Sequence, residues 1–140
     1  MGKVEPAKIS EFLDAVACEA IGASLDALAE GRELHPTAYF AKRDGEIEQV
    51  EFSDDAPDVC LSEARTHIYK LGKKADVYAI AYDGFVQEDE NTPSVDAVIV
   101  EFGERGGGCA YSASVAYEFD KKGNLMYGDP VPAGEEHLLL

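Results

Sequence analysis

Val77-Tyr78-Ala79-Ile80-Ala81-Tyr82, Ala97-Val98-Ile99-Val100-Glu101-Phe102 and Tyr111-Ser112-Ala113-Ser114-Val115-Ala116-Tyr117-Glu118-Phe119 decide the fold. Each run is short and rich in β-branched and aromatic residues, and each is bounded by Gly, Asp or Pro, which marks strands. Their connections are short, which favours an antiparallel arrangement. Alternation assigns two faces. One carries Tyr78, Ile80 and Tyr82, then Val98, Val100 and Phe102, then Ala113, Val115, Tyr117 and Phe119. The other carries Val77, Ala79 and Ala81, then Ala97, Ile99 and Glu101, then Ala110, Ser112, Ser114, Ala116 and Glu118. The first face is bulky and is expected to meet the helices. The second is flat and small, with less charge than a solvated face usually carries.

Outward from these strands, Leu125 to Tyr127 follows the turn Asp120-Lys121-Lys122-Gly123-Asn124 and reads as a further short strand. Upstream, Ser53-Asp54-Asp55-Ala56-Pro57 starts a helix, because acids suit the positive end of its dipole and proline suits its first turn. Leu61, Ala64, Ile68 and Leu71 form its apolar face, and Gly72 ends it. Thr37 to Arg43 and Glu46 to Phe52 read as a hairpin turned at Asp44-Gly45, where positive φ is wanted. The charges on these two strands place them near a sheet edge. A first helix begins around Pro6, carries Ile9, Phe12, Leu13, Val16, Ala20, Ile21, Leu25 and Leu28 at helical spacing, and stops at Gly31. The expected fold is α+β: an antiparallel sheet of five or six strands with two helices packed on one face, in the order α-β-β-α-β-β-β, with a short final strand. One domain covers 1–140, and 133–140, ending in Leu138-Leu139-Leu140, is expected to be a mobile or docking tail.

With 140 residues and 46% hydrophobic side chains, the chain can build a real core. Twelve Lys and Arg face 28 Asp and Glu, a formal net charge of -16. That balance opposes the basic footprint of nucleic-acid binding and opposes docking on anionic membranes. It favours solubility and attraction to basic partners or cations. No apolar run approaches the ~18 residues of a membrane span, and the first twenty residues do not read as a secretory signal. Three scattered cysteines, Cys18, Cys60 and Cys109, suit reduced thiols in a cytoplasm rather than a disulfide framework.

Glu104-Arg105-Gly106-Gly107-Gly108-Cys109 is the segment with the most chemical interest. It fits neither a dinucleotide fingerprint nor a P-loop, and it joins two strands where those motifs need a helix. Cys109 needs a nearby cation or base to act as a nucleophile, and Arg105 is the nearest cation in sequence. Glu101 stands out because its strand is otherwise apolar. Glu101, Arg105 and Cys109 are therefore the weak catalytic candidates. No metal-ligand spacing occurs, and no cofactor is implied. The acidic stretch from Asp83 to Asn91 lacks the ligand order of an EF-hand and reads as a loop.

These features point to a noncatalytic acidic binding or assembly module acting through protein–protein contacts. A basic protein is the expected partner, and a homodimer is expected through the small-residue face or paired edge strands. The alternatives are a small enzyme with its site near Gly106–Gly108, or an acidic mimic of nucleic acid.

Overall fold

The structure, a computed structural model, describes residues 9–87 and 89–140. The expected start near Pro6 lies outside the described residues. The elements are α1 (Glu11–Ala29), β1 (Thr37–Ala41), β2 (Glu48–Glu51), α2 (Pro57–Leu71), β3 (Val77–Val86), β4 (Val95–Glu104), β5 (Ala110–Phe119), β6 (Leu125–Tyr127) and β7 (Val131–Glu136). The strands form one antiparallel sheet in the order β2-β1-β3-β4-β5-β6, with β7 also on β5. The α+β class and the order of elements are those expected.

Capping chemistry sets the helix ends. The Ser10 hydroxyl accepts from the Leu13 amide at 3.0 Å, and Glu11 and Asp14 follow in the first turn of α1. At the other end Gly31 takes φ 77. Its amide donates to the Leu28 carbonyl, and the Arg32 amide reaches back to Ala27, the paired bonds of a Schellman stop. Pro57 opens α2, and Gly72 at φ 53 closes it.

The helices lie on opposite faces of the sheet instead of sharing one. Leu13, Val16, Ala17 and Ala20 of α1 pack on Tyr39, Ala41, Val77, Ala79, Ala81, Val100, Phe102 and Ala113. Leu28, Val98, Val115 and Tyr117 continue that layer. Ala64 and Ile68 of α2 pack on Ala38, Phe40, Tyr78 and Ile80. Register is the reason. Ala79 pairs with Phe102 and Ala81 with Val100, so the small side chains of β3 share a face with the large ones of β4. The faces expected for β4 and β5 are correct, but β3 is offset by one residue, which exchanges its sides. Residues 77–81 are buried throughout, so alternation within β3 could not say which side belonged with which side of β4.

Two further differences come from charge and from proline. Only β2 lies at the edge, whereas β1 is buried between β2 and β3. The charges of that hairpin collect in Lys42–Glu46 and β2, leaving Thr37–Ala41 uncharged. Residues 131–136, of which 133–136 were expected in the tail, form β7 against β5. Pro132 and Gly134 hide the strand pattern, and a register shift between Ser112 and Ala113 absorbs the irregularity. Beyond β7, Leu138, Leu139 and Leu140 pack partly buried on the α2 face. The Leu139 amide donates to the Tyr78 hydroxyl at 3.3 Å.

Candidate functional site

β3 is longer than β1. Thr37, the first residue of β1, pairs with Ala81, while β3 runs on to Val86 paired only with β4. Part of the stretch from Asp83 to Asn91, expected as loop, is therefore strand. Pro36 explains where β1 starts, because it has no N–H to give to the ladder. Upstream of it the chain diverges from β3. An open cleft of about 810 Å³ lies there. Its walls are the end of α1 (Leu28), the segment Gly31–Pro36, the start of α2 (Asp55, Pro57, Asp58, Cys60, Leu61) and the extended part of β3 (Tyr82, Asp83), with Phe119 beside them.

Glu33, Asp55, Asp58 and Asp83 all line this cleft. Among the described residues, Asp55, Asp58 and Asp83 form no ion pair. Two basic side chains share the lining. Arg32 is held by Glu30 at 2.7 Å, and His35 Nε2 lies 3.7 Å from Glu33. The carbonyl end of α1 adds partial negative charge, with no basic residue in its last turn. Leu28, Leu34, Leu61 and Phe119 supply an apolar component. The Tyr117 hydroxyl donates to Asp83 at 2.7 Å, and burial followed by this bond pushes the Tyr117 phenol well above its ordinary value. Asp83 is thus fixed in place as an acceptor. Cys60 is 2% exposed, and its thiol donates to the Asp55 carbonyl. The arrangement can attract and orient a cationic group beside apolar surface.

The residues singled out from sequence lie elsewhere, each with its own partners. Glu101 is 7% exposed on the α2 face. Arg65 Nε donates to its Oε1 at 3.0 Å, Arg65 Nη2 donates to its Oε2, and the Tyr82 hydroxyl donates to Oε2 at 2.9 Å. Burial and then the Glu101 charge raise the Tyr82 pKa strongly. Arg105 donates to the carbonyls of Gly72 and Ala75, and its amide donates to the Asp76 carbonyl at 2.8 Å. It closes the end of α2 onto the start of β5's hairpin. Cys109 is half-buried beside Tyr111. These three side chains do not share a partner, and none lines the cleft described above.

Sequence reasoning missed the cleft residues for a physical reason. Asp55, Asp58 and Pro57 read completely as a helix start, and Pro36 read only as a limit on a strand. The signal available was their combination: a strand that cannot extend, opposite one whose alternation continues through Phe85 and Val86. Among the described residues, no group of three or more His, Cys, Asp or Glu side chains is arranged to hold a metal, and no helix is long and apolar enough to cross a membrane. No family model matches the chain, and no curated protein or solved structure gives a significant match.

Proposed function

We propose that the chain is a noncatalytic, acidic protein-binding module that takes a basic protein partner at the cleft between the end of α1, the start of α2 and β3. One observation carries this reading: four acidic residues line a single cleft with an apolar component, three of them without an ion pair among the described residues, in a chain of net charge -16. An excess of one sign of charge lining a concave site focuses the field and speeds encounter with the opposite sign. The apolar residues supply the desolvated contact that holds a bound partner. In this reading the chain works in the cytoplasm, where its three free thiols remain reduced.

The test is capture from an extract of the source cell at stepped salt, using the native chain and two charge-reversal variants. One variant carries Asp55→Lys, Asp58→Lys and Asp83→Lys in the cleft. The other carries Glu46→Lys, Glu48→Lys and Glu51→Lys at the β2 edge, so the change in net charge is the same. Basic proteins retained by the native chain and the β2 variant, and lost from the cleft variant, support the proposal. Equal retention by all three overturns it, as does retention that does not change with salt.

A further inference from the structure

The geometry points to strand addition as the mode of binding: the partner supplies an extended basic segment that pairs with the open edge of β3 at Tyr82–Val86. This inference rests on the cleft being the partner site. Three independent features support it.

The first is backbone pairing. Residues 82–86 pair with β4 on one side only, since β1 begins opposite Ala81. Alternate residues of a strand point their N–H and C=O groups to opposite edges, so part of this segment presents unpaired groups toward the missing neighbour. Among the described residues, no backbone hydrogen bond to 82–86 comes from outside the sheet. Such an edge is a ready template for another chain. Of the sheet's outer strands, β2, β6 and β7, β2 is the one on this side of β3, and Glu48 and Glu51 are the ends of its four residues, a common way of blunting an edge. On β3 the open segment carries one charge, Asp83, followed by Gly84 and Phe85, and Phe85 is 70% exposed.

The second is space. The cleft of about 810 Å³ begins at this edge, where Pro36 turns the chain away, and Tyr82 and Asp83 are part of its lining. A segment entering there continues the line of β1.

The third is charge. Successive side chains of an added strand point to opposite faces of the sheet. Asp83 belongs to the α1 face, as its pairing with Val98 shows, and the start of α2 brings Asp55 and Asp58 to the same cleft. Carboxylates therefore stand near both sides of the vacant strand position. A basic segment gains on both faces, and an acidic second copy of this chain would be repelled.

The experiment uses the native chain and a synthetic decapeptide of alternating Lys and Val. Two further versions carry N-methyl groups on the backbone amides of one edge or of the other. All three have the same charge, and only one edge of an added strand pairs with β3. The expected result is binding by the parent peptide and by one methylated form, with at least a tenfold loss for the other. Amide exchange should slow at alternate positions within Tyr82–Val86. Equal affinity of all three peptides with no slowing at 82–86 overturns strand addition and leaves the cationic site standing. Failure of every peptide to bind at low salt counts against both.

Discussion

Arg65 grips both carboxylate oxygens of Glu101, reaching across from α2 to the centre of β4. Only 9% of the Glu101 side chain is exposed, against 42% for Arg65, so the carboxylate depends on its partners more than the guanidinium does. The pair fastens α2 to a strand its apolar face does not reach, because Ala64 and Ile68 pack on β1 and β3. Arg65→Ala leaves a buried charge with only the Tyr82 hydroxyl, and should cost about 2 kcal/mol, since breaking one side of such a pair is worse than removing both. The double variant with Glu101→Gln should recover part of that loss. Urea melts of the four proteins in a double-mutant cycle measure the coupling, and additive losses would show that the pair is not energetically linked.

Three tyrosines make the fold sensitive to base. Burial raises the Tyr78 phenol from 10.0 to about 12, and it raises Tyr82 and Tyr117 further, helped by Glu101 and Asp83 respectively. Each is an acid whose folded-state pKa exceeds its unfolded value. The unfolded chain therefore releases protons first as pH rises, and the linked stability is complete below pH 10 and is lost from there upward. Stability from urea melts should be flat between pH 8 and 9.5 with respect to these groups, then fall between pH 10 and 12. Tyr82→Phe should reduce the slope of that fall. An unchanged slope would mean that the phenol is not held neutral by its surroundings.

How much of this could be read in the sequence depends on how far each signal reaches along the chain. Helix ends are local: Ser10, Gly31, Pro57 and Gly72 act on backbone groups within a few residues, and both helices ended close to where they were expected. Strand existence is also local, and Val77, Ala97 and Tyr111 each open a run that forms a strand. Register is not local. Nothing within Val77–Tyr82 specifies that Ala79 will face Phe102, so the sequence suggests one face for both helices where the structure uses two. The cleft required still more. It exists because Pro36 on one strand stops pairing while Phe85 and Val86 on another continue, a relation between residues about fifty positions apart. Glu101 stands out in the sequence as a charge in an apolar strand, but its partner Arg65 lies on a helix whose facing depends on the register.

The C-terminal leucines should contribute measurable stability. Leu138, Leu139 and Leu140 cover the α2 face beside Tyr78, and three half-buried leucines are worth roughly 1 kcal/mol each by area. Deleting 138–140 should therefore lower stability by about 1 kcal/mol, because the entropy of ordering the segment offsets most of that gain. Gly103 tests the same seat without truncation. A Cβ there would lie 2.7 Å from Leu138 Cδ1 and 2.9 Å from Tyr78 Cε1. Gly103→Ala should cost about 1 to 3 kcal/mol through overpacking, and in the truncated chain it should cost less because Leu138 is gone. Equal penalties in both backgrounds would place the strain on Tyr78 alone.

Arg105 and Cys109 offer a direct contrast within one loop. Arg105 supplies donors to the Gly72 and Ala75 carbonyls and lies 3.8 Å from Asp76. Those carbonyls follow α2, where the helix has run out of internal donors. Arg105→Ala leaves them to water and loosens the contact between the end of α2 and the end of β4. A loss of about 1 to 2 kcal/mol is expected, with faster amide exchange confined to 72–76. Cys109 is half-buried beside Tyr111, and Cys109→Ser keeps a group of similar size that can hydrogen-bond Tyr111, so stability should change by less than about 1 kcal/mol. Partner capture should survive both changes, because neither residue lines the cleft. Loss of capture in Cys109→Ser at unchanged stability would return attention to the Gly106–Gly108 loop as a working site, and Arg105→Ala would then be expected to lose capture with it.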